Sequence, residues 1–216
     1  KEVKLDTREE SKIEQNNKEI KQWKRTEVLK DYRFYIICMT MLAMPWIATG
    51  SFVYQSFISS SKEWGPYVIA QSFMAYSILS VITLFISGFL IDKFTSRKLL
   101  IYMNIPLFFA TVVLYYFSAP LSSFVFFGLL GVTNGLANVL GSSTWAEIYG
   151  VKFIGSIKAL TTALMVFSTA FGTALFGFLI DIGFTIEYIA IISGTYIFSS
   201  IILLYLVQNK LNPQYL

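Results

Sequence analysis

Residues 88–98 read Gly88-Phe-Leu-Ile-Asp92-Lys93-Phe-Thr-Ser-Arg97-Lys98, and the opening pentapeptide returns letter for letter as Gly177-Phe-Leu-Ile-Asp181. The copies stand 89 residues apart, about the length of three membrane-crossing helices with their connections. The first copy closes a long uncharged stretch and runs into Lys93, Arg97 and Lys98. The second closes another such stretch and runs into a segment with no basic residue. A half built twice, with opposite charge outside each copy, implies an inverted repeat of the kind that membrane transporters are built from.

Composition points the same way. Apolar residues make up 55% of the chain and charged residues 14%. Ten of the seventeen basic residues and eight of the thirteen acidic ones fall within the first thirty-three positions. A water-soluble domain of this size spreads charge over its whole surface, so that class is excluded. The net positive charge is no nucleic-acid footprint; it follows from loops that face anionic lipid and the cytoplasm. Cys38, the single cysteine, lies in an apolar run and rules out an intrachain disulfide. The chain starts at Lys1 rather than Met and shows no signal peptide, so it reads as a piece of a longer protein.

A bilayer core takes roughly 20 apolar residues per helical crossing. The uncharged windows predict six spans, at residues 34–61, 65–91, 99–117, 120–146, 153–180 and 186–208. The third and fourth are divided at Ser118-Ala-Pro-Leu-Ser-Ser123, where proline and clustered serines mark a turn. The predicted fold is an all-α membrane protein, a six-helix bundle made of two inverted three-helix repeats. Numbering the two sides alternately puts sixteen basic residues on the side of the N-terminal segment and only Lys62 on the other. That bias makes the first side cytoplasmic, with both termini there. Residues 1–33 form a cytoplasmic segment, either partly disordered or an amphipathic helix with Ile13, Ile20 and Trp23 on one face. Residues 209–216 form a cytoplasmic tail.

The turn after the second span carries the strongest motif. Gly88 lets a neighbouring helix approach closely. Asp92 sits at the cytoplasmic end of its span, where helix-end carbonyls disfavour a negative charge. It therefore needs a partner, which Arg97 or Lys93 supplies. The bland alternative is ordinary positive-inside charge.

With its further basic residues, Gly88-x-x-x-Asp92-Lys93 resembles the signature of the major facilitator superfamily, found between the second and third helices of each half. The resemblance covers residues 23–208, in the order of helices seven to twelve of that twelve-helix fold. The run from Trp23 to Phe34 resembles the central loop leading into helix seven. Glu147-Ile-Tyr-Gly150-Val-Lys152-Phe-Ile-Gly155 resembles the loop between helices ten and eleven. Thr95 stands where many members have glycine. The resemblance implies that Gly88, Asp92, Lys93, Arg97, Lys98 and Glu147 belong to a conformational-switch motif. In it, Asp92, Arg97 and Glu147 form a cytoplasmic charge cluster that holds helices eight and ten in one state and loosens in the other. It also implies a small-molecule solute, a surrounding lipid bilayer in a plasma or inner membrane, and an N-terminal six-helix half as partner.

Polar groups inside the spans are the cavity candidates. Asn134 and Asn138, four residues apart, share one helix face. An amide at that depth either makes an interhelical hydrogen bond, worth about 0.6–2 kcal/mol, or meets a solute. The resemblance adds that the corresponding helix lines the central cavity. Gly128, Gly131 and Gly135 on the same helix read as close packing. Pro45 removes a backbone hydrogen bond and predicts a kink, with Trp46, Tyr54 and Gln55 beyond it able to face a cavity or simply pack.

No charge lies near the middle of any span, where it would cost roughly 2.5–3.5 kcal/mol. Lys158, a few residues into its helix, can snorkel to the cytoplasmic face. The charged loops also resemble those of the monocarboxylate and organic-anion carriers of the superfamily, which usually carry a cation within helix eight. Residues 65–91 have none, which argues against anion transport through this half. Without histidine there is no imidazole chemistry, and no phosphate-binding loop appears. No catalytic residue, metal ligand, cofactor or nucleic-acid partner is expected, and the chain reads as a transporter half rather than an enzyme. A self-associating six-helix channel or transporter, and a non-transporting membrane scaffold, are the alternatives.

Overall fold

The computed structural model describes residues 21–212, and its spans are helical with breaks at Tyr54 and Asn104. Among these residues the helices are α1 (Arg25–Val28), α2 (Tyr32–Val53), α3 (Gln55–Ser61), α4 (Pro66–Lys93), α5 (Ser96–Met103), α6 (Ile105–Tyr116), α7 (Pro120–Tyr149), α8 (Ile154–Asp181) and α9 (Ile186–Val207), closed by a 3₁₀ turn at Gln208–Lys210. Joined in pairs, α2–α3 and α5–α6 each make one crossing, so the bundle has six. Each of the six crossings, taken whole, is long and apolar enough to span a bilayer. The expected amphipathic face through Ile13 and Ile20 lies outside the described residues.

Local sequence sets the ends. Pro66 and Pro120 open α4 and α7, where a missing N–H costs nothing because no intrahelical acceptor awaits it. The Asp31 carboxylate caps α2 by accepting from Arg33 N at 3.0 Å. Gly150 ends α7 at φ 81°. At the end of α8, Gly183 N donates to Ile180 O and Phe184 N to Leu179 O, with Gly183 at φ 87°. This double bond satisfies the last carbonyls, and the left-handed turn suits a residue without Cβ. The end of α3 makes the same pair of bonds, Glu63 N to Ser60 O and Trp64 N to Ser59 O, but with Glu63 at φ 55°.

The two halves pack by a shared rule. Span one (α2) packs on span five (α8), and span four (α7) packs on span two (α4); α6 meets both α7 and α9, and α9 meets α2. Exchanging the first three spans with the last three leaves this pattern unchanged, as an inverted repeat requires. Glycines bring both principal pairs together. A methyl at Gly131 would run into the Tyr76 carbonyl, and one at Gly135 would sit 2.6 Å from the Ser80 carbonyl. In the other pair, a methyl at Gly172 would run into the backbone of Trp46.

Pro45 lies inside α2 and does not end it. The helix runs through it, and the break falls at Tyr54, with φ −99° and ψ 26°. Side chains from three neighbours hold the carbonyls just before the proline. Tyr196 Oη donates to Met39 O at 2.9 Å, Asn104 Nδ2 to Thr40 O at 2.7 Å and Ser168 Oγ to Leu42 O at 3.0 Å. Asn104 reaches Thr40 from the break between α5 and α6, two residues before Pro106, which cannot donate to Tyr102.

Candidate functional site: a one-sided cavity and the clamp beside its mouth

A cavity of about 630 Å³ lies among α2, α4, α7 and α8. It extends from Cys38, Trp145 and Lys158, near the ends that carry the basic residues, to Phe52, Tyr76 and Thr169 further in. No lining residue comes from the last twelve residues of α8 or the first ten of α4. The lining therefore lies toward the basic ends of α4, α7 and α8. Asn134 and Asn138 both line it. Asn134 Nδ2 donates to Ser80 Oγ on α4 at 2.8 Å, and Asn138 Nδ2 donates to Asn134 O at 2.9 Å. The interhelical bond and the cavity exposure thus coexist.

At the far end the segments are tied to one another. Tyr54 stacks on Phe176 with ring centroids 6.4 Å apart, and its hydroxyl abuts Gly177. Lys62, only 2% exposed, pairs with Glu187 Oε1 at 2.7 Å. Trp64 Nε1 donates to Ser118 O at 3.0 Å, tying the first far-side loop to the third crossing's end.

At the basic end, Arg97 Nε stands 3.0 Å from Glu147 Oε1. Glu147 Oε2 accepts from Arg97 N at 3.3 Å and from Ser96 Oγ. One carboxylate at the end of α7 therefore caps the start of α5 and pairs with its arginine. Arg97 Nη1 also donates to Asn212 Oδ1 at 2.8 Å.

A family model described as Major Facilitator Superfamily matches residues 35–214. The chain belongs to the Major Facilitator Superfamily. No curated protein and no solved structure matches it significantly. Members of the superfamily carry solutes across membranes and are not enzymes, so this integral membrane bundle serves solute transport. The match goes no finer than the superfamily.

Other sequence-derived residues of this superfamily member sit differently from expectation. Asp92 is exposed, and no ion pair among the described residues includes it. The extended Phe94 and Thr95 turn the chain after α4, so the arginine reaches α7 from α5. The charge link thus joins the third and fourth crossings rather than the second and fourth. Lys98 is exposed, and Lys93 lies 5.5 Å from the Phe94 ring. A methyl at Gly88 would meet nothing within 4 Å, so the expected close helix approach is absent there. It occurs on α7 instead.

Trp46, Tyr54 and Gln55 do not line the cavity. Trp46 is 4% exposed, with its ring among those of Phe171, Phe176 and Tyr196. Its helix turns that face toward α8 and α9, so the indole fills the core.

Sequence reasoning did not find the clasp formed by the docked front segment. Trp23 N donates to Tyr149 O at 3.0 Å, and the two rings meet edge to face at 5.5 Å. Tyr149 Oη donates to Asp31 Oδ2 at 3.1 Å. Arg33 pairs with Asp31 at 2.7 Å and reaches the carbonyls of Lys210 and Asn212. The described part of the front segment is therefore folded onto the bundle. Asp31 and Arg33, two residues apart ahead of an apolar run, were the visible signal. In the same segment, the Lys24 N–H holds the Glu27 carboxyl below its usual range.

Proposed function

We propose that this chain is the C-terminal half of a secondary transporter, moving a small solute by alternating access. The observation that carries the reading is the cavity among α2, α4, α7 and α8, whose lining reaches toward the basic end and stops short of the other ends of α4 and α8. Its partner is an N-terminal six-helix half of the same protein, which covers the exposed flanks of α4 and α8. Only 11% of the most apolar window of α4 is buried, against 56% in α2. The basic end and both termini face the cytoplasm, in a plasma or inner membrane. Asn134 and Asn138 contact the solute. An ion gradient, or the solute's own, drives the cycle.

The Arg97–Glu147 pair is the switch element, with Gly88, Asp92, Lys93 and Lys98 around it. It fixes the end of α7 relative to α5 while the cavity mouth is open. Uptake into proteoliposomes by the intact transporter tests this. Arg97→Gln and Glu147→Gln should each slow uptake about tenfold, equivalent to about 1.4 kcal/mol. Wild-type turnover in both would end the switch proposal. Asp92→Asn removes no ion pair of this state. Slowed uptake with unchanged thermal stability is expected if Asp92 joins the cluster in the opposite state. A defined homodimer in mild detergent would favour the self-associating reading.

A further inference from the structure

We infer that Lys158 binds the anionic group of the cargo, which is a small organic anion with an apolar body. This rests on the transport reading above. The cavity lining holds one charged residue, Lys158, and neither Asp nor Glu among the described residues. Lys158 is exposed in the cavity, and none of the ion pairs among the described residues engages it. Its position in the second turn of α8 sets it near the positive end of that helix, where a cation is disfavoured. Helix stability therefore does not explain it. A cation in a cavity wall without a counter-charge among the described residues raises the local concentration of anions.

The surroundings define the rest of the ligand. Thr161 and Thr162 follow Lys158 by three and four residues, on the same face of α8, and both line the cavity. Asn138 and Ser142 line it from α7. Met41 and Met165 supply polarizable apolar wall. A cationic and hydroxyl-rich patch beside thioether surface suits a carboxylate carrying a short apolar body. The charge that α4 lacks along residues 65–91 is thus supplied by α8, which removes the argument against anions drawn from the second span alone.

Equilibrium binding of labelled benzoate and hexanoate to the intact transporter in lipid nanodiscs tests the inference, with benzamide and hexanamide as neutral competitors. The carboxylates should compete at concentrations about tenfold lower than the amides. Lys158→Gln should abolish that preference, and Lys158→Arg should keep it. Amides that compete as well as carboxylates in the wild type would overturn the inference. So would a preference that survives Lys158→Gln, or the absence of saturable carboxylate binding. These failures leave the transport reading standing, because that reading is decided by whether the intact transporter takes up solute into proteoliposomes at all.

Discussion

Lys62 is the lone basic residue on its side of the bundle, and its surroundings explain how it is tolerated. The ammonium is buried and its counter-ion, Glu187, opens α9, where a carboxylate also meets the positive end of a helix. Removing one partner of a buried pair leaves an uncompensated charge. Glu187 is 38% exposed, so water can partly replace it. Glu187→Ala should therefore destabilise the protein by about 2 kcal/mol, below the 3–5 of a fully buried pair. Adding Lys62→Met should restore most of that loss. Thermal unfolding of both variants in one detergent checks this, and an unaffected single variant would refute it. The sequence exposes Lys62 as an outlier but hides its partner, 125 residues further on. Charge patterns within a span report depth in the membrane; they do not report which loop lies next door.

At the level of elements, the six spans were legible because bilayer thickness sets a length that composition must fill. Their breaks were less so: the interruption at Asn104 falls where a tertiary hydrogen bond and Pro106 act together, and the one at Tyr54 has no breaker residue to announce it. Which helices would be neighbours was not legible either. Each span is apolar nearly all round, so no stripe marks the face that packs. The glycines of α7 gave the best clue, and the close contact with α4 is theirs. Gly88 carried the same expectation and failed it, because α4 stands clear of its neighbours at that turn. Gly131 faces the Tyr76 carbonyl, a backbone group that cannot swing aside. Gly131→Ala should cost about 1–3 kcal/mol, whereas Gly88→Ala should cost nothing or stabilise α4 slightly. Unfolding midpoints for the two variants test the contrast, and equal losses would contradict the packing described.

For the whole molecule, the repeated pentapeptide foretold the two-fold exchange of spans, since one short sequence recurs at equivalent helix ends. The cavity was only partly foreseen. Asn134 and Asn138 line it, while Trp46 turns into the core and Lys158 lines the mouth. Depth along a helix follows from counting residues; rotation about its axis depends on the neighbours. Cys38, the chain's single cysteine, lies on that cavity wall and is 7% exposed. The bundle thus carries a built-in chemical reporter. A small thiol reagent applied from the basic side should modify Cys38 slowly, the same reagent from the opposite side should not, and an occupied cavity should shield the sulfur.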